Sequence, residues 1–361
     1  MLLSGMSPPT LGRPQGPPLH CLKKTFSGQS RYLKILVTGG TGFIGSHLIE
    51  RLLGAGHMVV VPVRKGSNLK SPHRSAEVRP ADMEKAEDIE DVVEGIDVMF
   101  HLAGVRGSGW QFTDEEVWRI NVGITKNLLN ASYGRVKHFI YLSSASIYGR
   151  FKGGPADEDY PCLPETRYGR SKSQAEKIVD EFHRGKRLPT TIIRPVITYG
   201  PGDTWGMVPK LVRLINSRKY LAVGGGKNRV HLIYIDDLID GLLMVMLNPQ
   251  AIGKTYVLAG GEPIAVNRLV EIISGLLNKK TPPVRVPVWL ANLTGLFLEK
   301  FYGAMSKKAE PFITRDKVDI MTRDRFFSSN RIKNELGYAS RVNYEDGLKR
   351  TIDWLRAQKF I

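Results

Sequence analysis

Cysteine, long apolar runs and acidic charge are all scarce in this sequence. Only two of the 361 residues are cysteines, Cys21 and Cys162, which excludes a disulfide framework and a cysteine-rich zinc site. This usage fits a reducing compartment, and we expect a cytoplasmic protein. No uncharged apolar run reaches the roughly 18 residues that a membrane-spanning helix needs. The 35 acidic residues stand against 52 Lys and Arg, so the net charge is +17.

The excess of basic charge suits anionic partners: a nucleotide, a nucleic acid or a membrane surface. We expect a protein that binds a nucleotide and a small-molecule substrate, without a nucleic-acid partner and with at most a weak contact with a membrane surface. Hydrophobic residues make up 42% of the chain, enough for a normal core in one large domain or two smaller ones. Residues 1–30 are rich in Pro, Gly and Ser and predict a disordered leader.

A glycine-rich loop follows the first apolar run of the chain. Residues 34–38 predict a buried strand, and residues 46–53 have helical spacing. Strand, glycine loop and helix in this order are the fingerprint of a dinucleotide site, in which the glycines allow a tight turn, a close approach to the pyrophosphate and close helix packing. The free N–H groups of the helix N-terminus favour phosphate. The residues that we expect to meet the dinucleotide here are Gly39, Gly42, Phe43, Ile44 and Gly45.

The residue after the second predicted strand, 57–63, distinguishes two cofactors. An acid there binds the ribose hydroxyl of NAD, whereas an arginine accommodates the 2′-phosphate of NADP. Because Arg64 stands at this position, NADP is favoured, with NAD as the alternative. A third short strand, 77–83, ends at Asp82 and Met83, where Asp82 either accepts a bond from the adenine amino group or caps a helix that starts at Glu84.

Three further strands are predicted at residues 97–104, 138–142 and 189–194, with helices between them. Strands that alternate with helices in this way predict a parallel, doubly wound sheet of the α/β class. The fourth strand ends in the small residues of Leu102-Ala103-Gly104, which leave room for a cofactor at the sheet's edge. The fifth runs out to Ser144, whose hydroxyl can bond a substrate oxygen or the fraying backbone.

Tyr168 and Lys172 lie four residues apart in a predicted helix and therefore share one face. An ammonium one turn away favours the phenolate, which lowers the pKa of a phenol. A tyrosine tuned in this way exchanges a proton with an alcohol whose carbon loses or gains hydride. The alternative for this common spacing is two solvated side chains, and the same alternative holds for Asn121, a polar residue in an amphipathic helix.

Seven short motifs, in this order, resemble the extended short-chain dehydrogenase/reductase superfamily, in its NAD(P)-dependent epimerase/dehydratase group. The resemblance covers about residues 33–260 well and the later part loosely, where Phe326-Phe327-Ser328 is similar to hydroxysteroid-dehydrogenase-like members. The motifs are Thr38-Gly39-Gly40-Thr41-Gly42-Phe43-Ile44-Gly45, Phe100-His101-Leu102-Ala103-Gly104, Asn121-Val122-Gly123, Ser143-Ser144-Ala145-Ser146-Ile147-Tyr148-Gly149, Tyr168-Gly169-Arg170-Ser171-Lys172, Arg194-Pro195 with Tyr199-Gly200-Pro201-Gly202-Asp203, and Tyr234-Ile235-Asp236-Asp237-Leu238.

The resemblance implies a role for each matching residue. Tyr168 would be the acid/base and Lys172 would hold the nicotinamide ribose. Ser144 would polarise the substrate oxygen, and Asn121 would support the lysine through a water. Ser146 stands where dehydratase relatives carry a catalytic glutamate, which argues against a sugar dehydratase. Pro195, in the sixth motif, would lie at the cofactor.

The implied fold is a Rossmann-type domain over residues 31–200, completed by residues 230–260. A smaller, mostly helical substrate lobe would comprise residues 201–229 and 261–361, and the resemblance also implies a homodimer. The implied function is an NAD(P)-dependent oxidoreductase or epimerase that acts on a nucleotide sugar or on a sterol-like or lipid-like alcohol. Its alternative is a catalytically silent protein on the same fold that senses nucleotides or binds RNA.

Two later segments bear on the substrate. In the sugar-nucleotide epimerases that the chain resembles, an arginine near residue 229 meets the diphosphate, and Arg229 is the residue available for that role. Residues 287–302 are very apolar and have three interpretations: core of the small lobe, a lid over an apolar substrate, or an interfacial helix.

Overall fold

Strands and helices alternate along most of the chain in the computed structural model, which describes residues 32–64, 75–105, 112–149, 154–280, 285–305, 311 and 313–361. The predicted leader, residues 1–30, lies outside them. The strands are β1 (Lys34–Thr38), β2 (Met58–Val63), β3 (Glu77–Pro80), β4 (Val98–His101), β5 (His138–Leu142), β6 (Thr190–Pro195), β7 (Ile197–Tyr199), β8 (Ala222–Val223), β9 (Arg229–Val230), β10 (Leu232–Tyr234), β11 (Thr255–Leu258), β12 (Ile264–Ala265) and β13 (Arg285–Val286). The helices are α1 (Phe43–Gly54), α2 (Ala86–Val93), α3 (Asp114–Trp118), α4 (Ile124–Ser132), α5 (Arg167–Lys186), α6 (Met207–Asn216), α7 (Ile235–Leu247), α8 (Val266–Leu276), α9 (Val288–Ala304), α10 (Arg315–Thr322), α11 (Asn330–Leu336) and α12 (Tyr344–Ala357).

A seven-stranded sheet in the order β11-β6-β5-β4-β1-β2-β3 forms the centre of the fold. Its neighbouring strands pair in parallel throughout. The strand order reverses between β1 and β4, and an open α/β sheet binds its ligand at the carboxyl ends of the strands beside such a reversal. The predicted α/β fold with a doubly wound parallel sheet is confirmed.

Two hydrophobic clusters cover the two faces of this sheet. One contains buried residues of α2, α4 and α5, such as Ile89, Leu128 and Val179. The other contains α1 and α7 and continues through α6, α8 and α12, where Leu348 is fully buried. Residues beyond 200 therefore pack into the same core as one face of the sheet, which fixes the later helices against the strand ends.

Several element boundaries differ from the sequence predictions, and β4, for example, ends at His101 and not at residue 104. Helix α1 begins at Phe43 rather than at residue 46, because Gly42 already has the extended conformation of an N-cap. Strand β3 ends at Pro80, after which the chain makes one more sheet bond, from Ala81 N to Val63 O, and turns. Helix α5 extends beyond residue 182 to Lys186, where Arg187 adopts a left-handed conformation that closes it.

The apolar stretch 287–302 forms α9, and its interpretation as core of the small lobe is wrong for its largest side chains. Trp289, Leu293 and Phe297 are 64%, 56% and 67% exposed. The most buried side of the helix includes Ala291, which joins a minor cluster with Val223 and Val318. No helix within the described ranges is long and apolar enough to cross a membrane.

Candidate active site

The glycine loop after β1 contains contacts that exclude any larger residue. Gly39 has a φ of 69°, and a Cβ on it would lie 2.9 Å from the backbone nitrogen of Ala103. A Cβ on Gly45 would lie 2.3 Å from the carbonyl oxygen of Gly39. Gly42 is the N-cap of α1 and has no side chain to satisfy the first N–H groups of the helix. Those N–H groups are thus available to an anion such as a pyrophosphate.

Phe43 and Ile44 begin α1 and are partly buried against the main core. The Phe43 ring packs edge-on against His47, with ring centroids 5.7 Å apart. The Nε2 of His47 bonds the carbonyl oxygen of Pro201 at 2.8 Å, and a Cβ on Gly202 would lie 3.4 Å from the Phe43 ring. The loop after β7 is therefore held beside the glycine loop.

The segment after β4 forms the opposite side of the glycine loop. The N–H of Ala103 donates to Oγ1 of Thr38, the last residue of β1, at 3.1 Å. Leu102 is partly buried and Gly104 is exposed. A Cβ on Gly104 would lie 3.0 Å from Oδ1 of Asn121 and 3.5 Å from Nζ of Lys172. At Gly104, the segment after β4 therefore lies against two of the predicted catalytic residues, Asn121 and Lys172.

Asn121 lies in a π-helical turn, Arg119–Gly123, between α3 and α4. It is 1% exposed, so its interpretation as a solvated surface amide is wrong. Its Oδ1 accepts a bond from the N–H of Val105 at 2.8 Å, while Nδ2 donates to the carbonyl of Val105 at 3.1 Å and to Oγ of Ser171 at 2.9 Å. The wider π-helical turn points the Asn121 amide inward. Such π turns are frequent at functional sites.

Lys172 is also buried, with 3% of its surface exposed. Its Nζ donates to the carbonyl oxygen of Leu142, the end of β5, at 2.8 Å and lies 4.6 Å from the centroid of the Tyr141 ring. Burial lowers the pKa of Lys172 to about 8, although the charge of Glu176 one turn further along α5 raises it. The ammonium is therefore still mostly protonated at pH 7.

Tyr168 is half-buried in the first turn of α5. This turn is capped by Thr166, whose Oγ1 accepts from the N–H of Gly169 at 3.0 Å. Burial raises the pKa of Tyr141 well above its usual value, and the charges of Glu176 and then Tyr168 raise it further. The ammonium of Lys172 lies over the Tyr141 ring, and Tyr168 precedes Lys172 by one turn of α5, a spacing that puts both residues on one side of the helix.

Ser144 caps a short 3₁₀ turn, Ala145–Tyr148, directly after β5. Its hydroxyl accepts from the N–H of Ser146 at 3.2 Å and donates to the Ser146 hydroxyl at 3.0 Å. This turn touches the start of α5, because a Cβ on Gly169 would lie 2.6 Å from the carbonyl oxygen of Ser146. Ser144 thus lies in the corner between β5 and α5 that also holds Tyr168 and Lys172.

The cofactor-specificity residues lie at the ends of β2 and β3. The side chain of Arg64 is 60% exposed, and its guanidinium lies 3.4 Å from Glu84. Glu84 also pairs with Arg119, a second arginine that the sequence did not single out. Oδ1 of Asp82 accepts from the N–H of Glu84 at 3.2 Å and so caps a turn, whereas α2 begins later, after Lys85. Met83 beside it is buried.

Behind α5 lies a buried ion pair that the sequence did not predict. Arg194 in β6 donates to Glu176 at 2.7 Å and to the Tyr148 hydroxyl at 2.9 Å. Pro195 follows it at the buried end of β6. The sequence contained one sign of this ion pair: Glu176 follows Lys172 by four residues and therefore lies on the same face of the helix. This pair fixes the helix that carries Tyr168 and Lys172 to the sheet.

His101, at the end of β4, connects both halves of the site and was also missed. Its ring nitrogens bond Oγ1 of Thr38 at 2.8 Å and Oγ1 of Thr125 at 2.9 Å. The Thr125 hydroxyl donates its proton to the carbonyl of Asn121 at 2.7 Å. It must therefore accept from Nε2 of His101, which leaves Nδ1 to accept from Thr38. Burial lowers the pKa of His101 to about 3, so the ring is neutral.

These residues fit a nicotinamide dinucleotide. The glycine cradle would be filled by any Cβ, the uncapped start of α1 offers N–H groups to the phosphates, and a buried ammonium lies beside the exposed Gly104. Gly39, Gly42 and Gly45 would hold the phosphates, and Lys172 would hold the ribose next to the nicotinamide.

Comparisons with known proteins agree with this geometry. A 2-alkyl-3-oxoalkanoate reductase of Shewanella oneidensis is 28% identical over 87% of this chain and 84% of its own. The N-acetyl-alpha-D-glucosaminyl-diphospho-ditrans,octacis-undecaprenol 4-epimerase of Escherichia coli O157:H7 is 27% identical over 89% of this chain and 94% of its own. The human sterol-4-alpha-carboxylate 3-dehydrogenase, decarboxylating, is 27% identical over 91% of this chain and 90% of its own.

A sequence profile of one enzyme family matches residues 35–259, a range that runs from β1 to the end of the main sheet. Relatives of this kind are named reductases, epimerases and dehydrogenases, so the protein is an NAD(P)-dependent enzyme. The chain belongs to the NAD dependent epimerase/dehydratase family.

Proposed function

We propose that the protein is an NADP-preferring oxidoreductase that interconverts a secondary alcohol and its ketone on an apolar, lipid-like skeleton, with Tyr168 as the acid/base. The observation that carries this proposal is the position of Lys172. Its buried ammonium lies one helical turn from Tyr168 and beside Gly104, at the edge of the sheet where a dinucleotide would bind. The cysteine usage favours a cytoplasmic site for this reaction.

The proton chemistry follows from the groups in this corner. The nicotinamide cofactor that these residues would hold would supply the hydride chemistry at the carbinol carbon. When the alcohol is oxidised, Tyr168 takes the hydroxyl proton as a phenolate, which the ammonium of Lys172 stabilises. The Ser144 hydroxyl donates a bond to the same oxygen and so orients the substrate. In the reverse direction Tyr168 returns the proton to the developing alkoxide.

The preference for NADP rests on Arg64, because a guanidinium at the end of the second strand suits a 2′-phosphate. Arg64 is exposed, and Arg119 pairs with the same Glu84, so two cations meet at this carboxylate. A 2′-phosphate would compete with the Glu84 carboxylate for these cations, and its charge-assisted bonds are strong ones.

The apolar substrate is inferred from two observations. The names of two of the three relatives contain an alkanoate and a sterol, whereas the third names a glucosaminyl diphosphate joined to a polyprenol. Arg229, the residue that would meet a nucleotide diphosphate, pairs with Asp324 at 3.4 Å and lies 4.2 Å over the Phe326 ring. These contacts favour a lipid-like alcohol over a nucleotide sugar as the substrate.

The experiment is a substrate panel with each cofactor, followed through the absorbance of reduced nicotinamide. Long-chain 3-hydroxy acids and sterols represent the apolar class, and short alcohols and UDP-sugars are the controls. We expect turnover with the apolar class and NADP. Turnover of UDP-sugars alone would overturn the proposed substrate class. Salt-dependent retention of RNA, with no turnover on any alcohol, would instead support the RNA-binding alternative.

A further inference from the structure

Helix α9 has its large apolar side chains on the outside of the molecule. Its covered side includes Ala291, which is 1% exposed, and Gly295, on which a Cβ would lie 3.0 Å from the backbone nitrogen of Arg315. Glu299, one turn further, accepts from the N–H and Nε of Arg315 at 2.7 and 2.9 Å. The contacts of α9 with the start of α10 are therefore made by small and polar residues, and Leu298 and Tyr302 are partly buried on the same side.

The opposite side of α9 is an exposed apolar ridge, defined here as Trp289, Leu293, Phe297 and Phe301. These side chains follow one another at intervals of four residues and are 64%, 56%, 67% and 45% exposed. The rings of Phe297 and Phe301 stack with centroids 6.2 Å apart and an angle of 13°. Ordinary amphipathic helices bury such residues, whereas single exposed apolar residues elsewhere on a surface need no explanation. A contiguous exposed row of this kind marks an interaction site.

Basic residues surround the apolar ridge. Arg285 precedes α9 and Lys300 lies on it, and both are exposed. In the sequence, residues 279–308 contain six Lys and Arg but one acid, Glu299, whose carboxylate is already bound by Arg315. Apolar aromatic side chains flanked by cations are the pattern of helices that lie in the headgroup region of an anionic bilayer.

We propose that the apolar ridge of α9 docks onto the surface of an anionic lipid bilayer. The helix lies in the plane of the interface, with the ridge among the upper acyl chains and with Arg285 and Lys300 at the phosphates. Its other side remains packed on the start of α10, so the contact is peripheral. This proposal concerns a surface and does not depend on the reaction that the enzyme catalyses.

A second copy of the chain fits this surface less well than a bilayer does. A two-fold interface places the same patch on both subunits, so the basic residues around both ridges would be gathered in one interface. Stable protein interfaces also involve about 20–30 residues a side, far more than one exposed helix face. An anionic bilayer instead pairs the ridge with acyl chains and the cations with phosphates.

The test is flotation of the full chain with vesicles of phosphatidylcholine alone or with 30% phosphatidylserine, about the content of an anionic leaflet. The main variant is Phe297→Ser with Phe301→Ser, and the charge variant is Arg285→Gln with Lys300→Gln. Tyr133→Ser, an exposed aromatic residue at the end of α4, is the matched control. All variants replace exposed side chains, and their thermal unfolding midpoints should match that of the wild type.

We expect the wild type to bind the anionic vesicles and to bind phosphatidylcholine at least tenfold more weakly. The double Phe variant should lose at least tenfold in binding. The charge variant should lose roughly fivefold for each cation removed. Tyr133→Ser should bind like the wild type. Equal binding by wild type and the double Phe variant overturns the proposal. So does a dimer, seen by light scattering in the absence of lipid, that the same two substitutions dissociate.

Discussion

The Nζ of Lys172 donates a 2.8 Å hydrogen bond to the carbonyl oxygen of Leu142, the last residue of β5. This bond holds the ammonium at the carboxyl end of the sheet, beside Gly104 and above the ring of Tyr141. This bond keeps the lysine side chain from turning out into solvent. The ammonium therefore has a fixed position relative to Tyr168, one turn earlier in α5. The proposed acid/base chemistry of Tyr168 depends on this fixed separation.

Tyr168→Phe removes the proton donor and acceptor while keeping the ring. We expect kcat to fall by about 10³-fold, because general acid–base catalysis contributes roughly 10²–10⁴-fold. The Kd for the cofactor should change less than twofold, since the phosphate-binding glycines are untouched. Stopped-flow turnover and fluorescence titration of the reduced cofactor measure the two effects. Tyr133→Phe, an exposed tyrosine, is the matched control. Full activity in the Tyr168 variant would exclude the proposed mechanism.

Lys172→Met should stabilise the protein and inactivate it. The pKa of Lys172 is about 8 in the folded protein and near 10.5 in the unfolded chain, so below pH 8 folding must bury a charge. The unfolded state binds more protons between these values, so the wild type gains stability as pH rises through them. At pH 7 the variant should be more stable by on the order of 1–3 kcal/mol, a trade-off that is common at active sites.

Urea denaturation at pH 7 and at pH 10.5 provides the measurement for Lys172→Met. The advantage of the variant should shrink at the higher pH, where the wild-type lysine is neutral in the folded protein and only about half charged in the unfolded chain. A variant that is less stable than the wild type at pH 7 would show that the hydrogen bond to Leu142 outweighs the desolvation of the charge.

The sequence predicted the parts of the site that depend on local pattern. The glycine loop, the segments that follow β4 and β5 and contain Gly104 and Ser144, and the helix that carries Tyr168 all follow from apolar periodicity and spacing along the chain. The inward position of Asn121 did not follow, because it depends on one extra residue in the π turn, which leaves no periodic signal.

The rest of the site could not be predicted because it depends on contacts between distant segments. His101 reads as part of an apolar strand, and its role appears only when Thr38 and Thr125 lie on either side of it. The side of α9 that is exposed could not be predicted from composition, because apolar residues of the segment 287–302 lie on most sides of the helix. The small residues Ala291 and Gly295, four apart, were the only sequence sign of which side packs.

Gly45→Ala should abolish cofactor binding and destabilise the fold. The new Cβ would lie 2.3 Å from the carbonyl oxygen of Gly39, and backbone has to move to relieve the clash. The displacement reaches the loop that meets the phosphates, so we expect the Kd for the cofactor to rise at least 100-fold. Overpacking of this kind destabilises a protein by about 1–3 kcal/mol.

Gly54→Ala is the matched control in the same helix. A Cβ on Gly54 has no atom within 4 Å, and the residue is the last of α1. Alanine there should leave cofactor binding unchanged and stabilise the protein by up to about 1 kcal/mol. Calorimetric titration of the cofactor and denaturant unfolding compare the two variants. Equal cofactor affinity in both variants would contradict the proposed role of the loop.

Arg64→Asp should reverse the cofactor preference. An acid at this position favours the ribose hydroxyls of NAD and repels a 2′-phosphate. We expect kcat/KM for NADP to fall at least 100-fold, while that for NAD rises or stays constant. Arg135→Asp is the control for a general charge effect, because Arg135 pairs with Glu90 on the surface beyond α4. If kcat/KM in Arg64→Asp falls by the same factor with NADP and with NAD, Arg64 does not recognise the 2′-phosphate.

His101 should remain neutral, with its proton on Nε2, across the whole working range of pH. The pKa of this buried ring is lowered to about 3 by desolvation, and that of His138 to about 4 for the same reason. The expected tautomer follows from Thr125, which donates to the carbonyl of Asn121 and must accept from His101. Nitrogen-15 NMR of labelled histidine should therefore show an unprotonated Nδ1 with no titration between pH 5 and 8.

Burial also lowers the pKa of His57 and His231, but the two histidines with the larger lowering are His101 and His138. Their folded pKa values lie below the unfolded value of 6.5, so the unfolded state binds more protons and stability falls as the pH drops below 6.5. At pH 5 each neutral buried histidine should lower the unfolding free energy by about 2 kcal/mol relative to pH 7. Urea denaturation of the wild type and of His101→Gln checks this. The fall in the unfolding free energy of the variant between pH 7 and pH 5 should lack the contribution of His101 and keep that of His138. An acid dependence equal in both proteins would mean that His101 is protonated in the folded state.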